Sequence, residues 1–117
     1  TVFPHWFAAN FRNYMDQDTL LPFDQHLVIS LMAPRPVYIA SAEQDKNSDP
    51  EGEFESAKAA SSVYQFLGTD GLPTTQRPPL NQSVQGQIGY HIRTGGHDVT
   101  GYDWAQYLRF MDKHFKK

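Results

Sequence analysis

Cysteine is absent from this sequence of 117 residues, so disulfide scaffolds, zinc–thiolate sites and cysteine nucleophiles are excluded. No apolar run reaches the roughly eighteen residues that a membrane-spanning helix needs. Positive charge is also scarce: the net charge is −3, and without a basic excess we expect neither nucleic acid nor a membrane surface as a partner. The hydrophobic content of 39% with 14% aromatic residues is typical of a globular domain.

The apolar pattern predicts helices that alternate with two short strands. Asp24 and the pair Asp49-Pro50 are helix-start signals, because Asp accepts backbone N–H bonds at an N-cap and Pro suits the first helical turn. Thr100 and Asp103 form a capping-box pattern. The predicted elements are a helix from Asp24 to about Met32, a strand over residues 37–40, a helix that ends at Gly68, a loop over residues 69–86, a strand over residues 87–92 and a helix from Thr100 to about Phe115.

This order predicts a parallel strand pair joined by a right-handed crossover. Two strands are too few for an independent parallel sheet with both faces covered. The sequence also starts at Thr1 rather than at Met, and apolar and aromatic residues follow. We therefore expect residues 1–117 to be the C-terminal part of a single, larger α/β domain that is incomplete here. Helical spacing further predicts that the last helix buries Trp104, Tyr107, Leu108, Met111 and Phe115.

His97 lies in the segment Gly95-Gly96-His97-Asp98, between the second predicted strand and the last helix. A histidine on a glycine-flanked loop has an accessible imidazole, and its ordinary pKa near neutrality suits a general base. Most lone loop histidines nevertheless have no catalytic role. The hypothesis therefore depends on whether the chain supplies a partner for His97.

Asp45 is the acid that we expect beside His97, because it follows the first predicted strand and neighbouring parallel strands end at the same edge of a sheet. Glu43 is a weaker alternative, while Asp49 is better explained as a helix cap and Asp98 as a cap or contact of the last helix turn. An acid followed by a histidine is the order found after the serine in α/β hydrolases. No Gly-x-Ser-x-Gly elbow occurs in the sequence, so we expect the nucleophile upstream.

The remaining histidines are interpreted as structural. We expect His26 and His91 to be packing residues and His114 to belong to a solvated tail. No histidine pair has metal-ligand spacing with an acid beside it, so no metal site is expected. Trp6 is an aromatic residue that could line a cleft.

Several motifs together resemble bacterial glucuronoyl esterases, carbohydrate esterases of family 15 that are often labelled acetyl xylan esterases. The likeness covers nearly the whole chain, and the combination of motifs is more specific than any one of them. The motifs include Trp6-Phe7, Leu21-Pro22-Phe23-Asp24-Gln25-His26, Ala33-Pro34-Arg35-Pro36, Glu43-Gln44-Asp45 and Gly95-Gly96-His97-Asp98.

The resemblance implies the C-terminal strand–helix–strand–helix portion of an α/β-hydrolase three-layer sandwich. It also implies hydrolysis of esters between 4-O-methyl-glucuronic acid on glucuronoxylan and lignin alcohols, by a serine mechanism without metal or cofactor. The implied partners are that lignin–carbohydrate substrate and the remainder of the catalytic domain, and the implied location is secreted or periplasmic. We expect the 117-residue chain alone to be inactive.

The resemblance places His97 on the catalytic histidine and Asp45 on the acid position after the penultimate strand. Other members rely mainly on an upstream Glu, so the main acid is left open. Many relatives carry a Trp one or two residues after the acid, where this chain has Lys46 and Asn47. Lys46, Asn47 and Trp6 are our candidate substrate-binding residues. The departure leaves acetyl xylan esterase, another serine hydrolase, or a non-catalytic carbohydrate-binding or structural module as alternatives.

Overall fold

A computed structural model describes residues 4–116, and over that range it contains three α-helices and three strands. The helices are α1 (Gln25–Ser30), α2 (Pro50–Phe66) and α3 (Gly101–Phe115), and the strands are β1 (Val37–Ala42), β2 (Gln82–Gln85) and β3 (Ile88–Arg93). Short 3₁₀ helices occupy Pro4–Trp6, Ala9–Tyr14, Asp18–Leu20 and Lys46–Ser48. Over residues 4–116, no helix combines the length and apolarity required to cross a bilayer.

The three strands form one sheet in the order β1-β3-β2. Strands β1 and β3 are parallel, with Val37 opposite Ile88 and Ala42 opposite Arg93, which confirms the predicted parallel pair. Strand β2 is antiparallel to β3. The prediction of a loop over residues 69–86 is therefore wrong for residues 82–85. The polar sequence of β2 lacks the apolar alternation that indicates a strand. It becomes a strand because it pairs with the edge of β3 across the turn at Gly86.

Each α-helix begins at a side chain that the sequence marks as a cap. Asp24 accepts a hydrogen bond from Gln25 N at 2.6 Å, and Asp49 accepts one from Gly52 N at 3.1 Å. At the start of α3, the Asp103 carboxylate accepts a bond from Thr100 N at 2.6 Å. These bonds satisfy N–H groups that have no partner within the helix. The cap interpretation of Asp49 is confirmed.

The main core lies between α2 and the sheet. All six residues of β3 are buried, as expected for a strand that is paired on both edges and covered on both faces. Each large apolar side chain buried here contributes about 1.5–3 kcal/mol. The core residues are Phe54, Ala57, Ala60, Tyr64, Leu72, Ile88, Tyr90 and Ile92.

The predicted buried face of α3 is wrong at four of its five residues, and only Tyr107 is half-buried, against the Tyr38 ring. The side chains that α3 buries are Asp103, Gln106 and Phe110, and Phe110 packs against the Tyr38 ring at a centroid distance of 5.1 Å. The helix contacts the sheet through this polar and aromatic face, so the more apolar stripe points away from the described strands. That exposed stripe consists of Trp104, Leu108, Met111 and Phe115.

Candidate active site

Two loops meet at the carboxyl ends of β1 and β3. Their main chains stay paired beyond the strands, because Glu43 N donates to Arg93 O at 2.9 Å and Gln44 N donates to Gly95 O at 3.1 Å. Gly95 has a φ of +100°, which glycine adopts without the steric cost of a Cβ atom. In open parallel sheets, functional side chains gather at this edge.

His97 and Asp45 are in direct contact at this edge. Nδ1 of His97 lies 2.6 Å from Oδ2 of Asp45, and the Ser48 hydroxyl donates to the same carboxylate oxygen at 2.8 Å. The Asp45 side chain is only 15% exposed, whereas that of His97 is 87% exposed. The structure therefore holds the acid in place and presents the imidazole to the surroundings.

This contact changes the proton affinity of both groups. The hydrogen bond and the charge of Asp45 raise the pKa of His97, and nearby Asp98 acts in the same direction. The pKa of Asp45 is lowered because its carboxylate accepts hydrogen bonds from His97 and Ser48. When Nδ1–H donates to the ionised acid, Nε2 is the basic nitrogen of the ring. The pair can thus take a proton from a group placed beside Nε2.

A cavity of about 460 Å³ opens beside the pair, and both Asp45 and His97 line it. Ser41 and Glu53 form part of the same wall, joined by a hydrogen bond of 2.5 Å from Ser41 Oγ to Glu53 Oε2. Burial raises the pKa of Glu53, and the negative charges of Asp45 and Asp49 add to that effect. Glu53 is therefore a carboxyl group on the cavity wall that was not predicted from the sequence.

The three candidate substrate-binding residues lie on two other cavities. Trp6 and Asn47 line one cavity of about 820 Å³ between α1 and α2. Lys46 lines another, of about 360 Å³, together with Glu43 and Arg77. Trp6 and Asn47 thus share a cavity, whereas Lys46, the neighbour of Asn47 in the chain, lines a different one. The structure also places Glu43 away from the cavity that His97 lines.

The structure also shows the positions of the other histidines and of Asp98. His91 is fully buried and hydrogen-bonded on both ring nitrogens, which confirms it as a packing histidine. His26 is half-buried on the cavity that Trp6 lines. Asp98 does not cap α3, since Thr100 is the N-cap and the Asp98 side chain accepts a bond from Val99 N at 2.7 Å.

The prediction of a solvated tail at His114 is wrong. Its Nε2 lies 3.1 Å from Gly86 O, and its ring packs against Phe110 at 4.4 Å between centroids. Helix α3 ends at Phe115, as predicted, but its last turn packs His114 onto the β2–β3 hairpin. Over residues 4–116, no group of three or more acidic or histidine side chains is arranged to hold a metal ion.

Sequence reasoning missed a buried ionic network behind the His97 loop. The Nε atom of Arg93 lies 2.8 Å from Oδ2 of Asp103, and Nε2 of His91 lies 2.8 Å from Oδ1 of the same carboxylate. Asp103 was identified as part of a capping box only. A signal was available, because His91 and Arg93 are two residues apart and therefore share one face of the strand.

Asp45 and His97, paired after neighbouring parallel strands, follow the chain order in which α/β hydrolases carry their acid and histidine. A family model described as glucuronyl esterase, fungi, matches residues 3–68. The chain belongs to the glucuronoyl esterase family.

Individual relatives agree with this assignment. The chain is 52% identical to carbohydrate esterase MZ0003, from an unknown prokaryotic organism, over 97% of its own length and 26% of that relative. A promiscuous CE15 esterase from a marine bacterial metagenome has a similar structure, with a TM-score of 0.94 and 51% identity over 97% of this chain and 28% of that one. The glucuronoyl esterase from Solibacter usitatus gives a TM-score of 0.90 and 48% identity over 96% and 29%. The chain thus corresponds to about a quarter of these α/β-hydrolase proteins.

Proposed function

We propose that this chain supplies the general base, His97, and its acid, Asp45, to a serine carboxylic-ester hydrolase. The observation that carries the proposal is the 2.6 Å contact between His97 Nδ1 and Asp45 Oδ2. The nucleophilic serine comes from residues outside this chain, because the sequence has no Gly-x-Ser-x-Gly elbow and the relatives are about four times longer. We place this serine on the side of the 460 Å³ cavity, because His97 lines that cavity.

In the proposed reaction, His97 Nε2 accepts the proton of the serine hydroxyl as the serine oxygen attacks the ester carbonyl. The imidazolium then gives this proton to the leaving alcohol, and water hydrolyses the acyl-enzyme by the same route. Asp45 keeps the proton on Nδ1 and stabilises the imidazolium. An upstream Glu that shares this role is compatible with the proposal.

The proposed substrate is an ester of 4-O-methyl-glucuronic acid that links glucuronoxylan to lignin. Family membership supports it, as do fungal relatives named 4-O-methyl-glucuronoyl methylesterase, one of them from Hypocrea jecorina at 36% identity over 66 residues. A polymer of the plant cell wall lies outside the bacterial cell. We therefore also propose a secreted or periplasmic location for the complete protein.

A broader esterase that includes acetyl xylan among its substrates is the second candidate. Two points favour it: Lys46 and Asn47 stand where the family resemblance implies a Trp in many members, and a structural relative is described as promiscuous. Replacing an indole by a short amide removes an aromatic face on which a sugar ring could pack. The selectivity for the uronate would fall as a result.

The test uses the full-length enzyme, with the benzyl ester of glucuronic acid and acetylated xylan as substrates. His97→Ala should lower kcat by roughly 10³- to 10⁴-fold, while the melting temperature stays unchanged because the His97 side chain is 87% exposed. His114→Ala, at the far end of α3, is the matched histidine control and should retain kcat.

The outcomes separate the candidate functions. A His97→Ala enzyme that keeps its rate on both substrates contradicts the proposed mechanism. Faster turnover of acetylated xylan than of the glucuronate ester favours the second candidate. A folded wild-type protein that hydrolyses neither ester but binds xylan identifies a non-catalytic module.

A further inference from the structure

Arg93, the last residue of β3, contacts the main chain on both sides of His97. Its side chain is 5% exposed. The NH1 group donates to Thr94 O at 3.0 Å, and NH2 donates to Gly96 O at 3.2 Å and also to Asp98 O. Gly96 and Asp98 are the residues directly before and after His97, so one guanidinium group fixes both ends of the peptide that carries the imidazole.

The guanidinium is itself anchored to rigid elements. Its Nε donates to both carboxylate oxygens of Asp103, at 2.8 and 3.0 Å. Asp103 lies in the first turn of α3, where it also accepts from Thr100 N and from His91 Nε2. On its other side, His91 Nδ1 lies 2.8 Å from the Tyr38 hydroxyl of β1. The network therefore connects β1, β3 and α3 to the His97 loop.

The loop needs such an anchor because the imidazole has little packing of its own. The His97 side chain is 87% exposed, so its position depends on the main chain that carries it and on the Asp45 contact. The loop also lies tightly on the guanidinium: a Cβ atom at Gly95 would be 3.2 Å from Arg93 NH1. Only the planar, multi-donor guanidinium can serve a carboxylate and three carbonyls at once.

We infer that Arg93 is a positioning residue for His97, which holds the carbonyls of Gly96 and Asp98 so that the imidazole meets Asp45. This inference rests on the proposed function, since it concerns the same general base. It assigns Arg93 an effect on turnover that acts through the main chain of the His97 loop.

The test is Arg93→Lys in the full-length enzyme, with the benzyl ester of glucuronic acid as substrate. Lysine retains the positive charge beside Asp103 but cannot reach all three carbonyls. We expect kcat to fall about 10- to 100-fold with KM unchanged, since small misplacements of a reacting group have this effect. The acid limb of the kcat/KM profile should move to lower pH, because His97 loses part of its contact with Asp45.

Arg109→Lys is the matched control, because Arg109 is an exposed arginine on α3 and the substitution is the same. It should leave kcat and the pH profile unchanged. Wild-type kcat and an unshifted acid limb in folded Arg93→Lys overturn the inference. His97→Ala measured in parallel separates the two claims: if it retains activity the proposed function fails, whereas if only Arg93→Lys retains activity the inference fails alone.

A second variant covers the case in which Arg93→Lys does not fold. Arg93→Ala is then produced and assayed with and without methylguanidinium. Recovery of kcat with methylguanidinium supports the inference, and folded enzyme without recovery of kcat overturns it. Failure of both variants to fold under either condition also overturns it, since Arg93 would then serve the whole fold rather than the loop.

Discussion

Asp45 and Asp49 flank the same short 3₁₀ helix, Lys46–Ser48, yet their carboxylates have different partners. Asp45 accepts from His97 and Ser48, whereas Asp49 accepts from Gly52 N in the first turn of α2. Two acids four residues apart thus have separate roles: Asp45 pairs with His97, and Asp49 caps the start of α2. Their substitutions should therefore give opposite patterns of activity and stability.

Asp45→Asn in the full-length enzyme should reduce activity without unfolding the protein. The amide cannot stabilise the imidazolium, so we expect kcat to fall by roughly 10²- to 10⁴-fold. The fall should be smaller than for His97→Ala if an upstream Glu shares the role. Because Asp45 raises the pKa of His97, the acid limb of kcat/KM should shift to lower pH. An unshifted limb would show that the contact does not operate during turnover.

Asp49→Ala should destabilise the protein and leave kcat unchanged. Loss of an N-cap costs about 0.5–2 kcal/mol, and alanine also fits poorly at the φ of +52° found here. Asp49→Gly, which tolerates that φ, should be less destabilising than Asp49→Ala. Urea denaturation of the two variants measures the difference. Loss of activity in a folded Asp49→Gly enzyme would contradict the division of tasks.

Gly95→Ala should lower kcat more than Gly96→Ala. The backbone at residue 95 has a φ of +100°, and a Cβ atom added there would lie 3.2 Å from Arg93 NH1. A Cβ atom added at residue 96 would have no heavy atom within 4 Å. The strain of positive φ costs about 1–2 kcal/mol, and relief of it would move the loop away from Asp45. Steady-state kinetics of the two variants test this prediction. Equal kcat values for Gly95→Ala and Gly96→Ala would contradict it.

His91 should make the protein less stable in mild acid. Burial lowers the pKa of His91 despite its hydrogen bond to Asp103, so the unfolded chain takes up a proton near pH 6.5 that the folded chain does not. The free energy of unfolding should therefore fall as the pH drops below about 6.5.

His91→Gln keeps a donor and an acceptor at this position and should flatten that dependence. Urea denaturation at several pH values between about 5 and 8 measures the slopes. His97 is the contrasting group. Its raised pKa gives a contribution of opposite sign, which is present below the unfolded pKa and lost as the pH rises. That contribution is small because the side chain is exposed to solvent. Equal slopes for wild type and His91→Gln would contradict the assignment.

Gly89→Ala should be strongly destabilising. A Cβ atom there would lie 2.4 Å from Tyr38 Cδ2 and 3.0 Å from Phe110 Cδ2, and both rings are packed against the sheet. Overpacking of this kind costs about 1–3 kcal/mol. Gly101→Ala is the control, since no heavy atom lies within 4 Å of its Cβ position. Equal melting temperatures for the two variants would disprove the predicted clash.

The elements that the sequence predicts are those with local signals. Asp49-Pro50 and Thr100 mark helix starts through side-chain and backbone chemistry that acts within one turn. Strand β1 is a short apolar run that is half-buried over most of its length, and β3 is buried at every residue, as is typical of strands in a parallel pair. Strand β2 has no such signal, since its Gln-Ser-Val-Gln sequence is ordered by its partner β3. The helical periodicity of apolar residues likewise identifies the apolar stripe of α3, but it does not show which face of α3 packs against the sheet.

The pairing of Asp45 with His97 was predictable from topology, because adjacent parallel strands place their following loops together. The roles of Arg93 and Asp103 were not, because a buried charged pair between a strand and a helix is stable only when its geometry and hydrogen bonds are complete. That completeness depends on the position of α3 over β3, which no pattern along the chain specifies.

Helix α3 is fastened at both ends to the same hairpin. Asp103 joins its first turn to Arg93 at the end of β3, while Lys113 and His114 in its last turn bond to the carbonyls of Gln85 and Gly86. Such a helix cannot fray from one end independently of the strands beneath it. Amide hydrogens of α3 and β3 should therefore exchange with solvent at a common rate, as one cooperative opening unit.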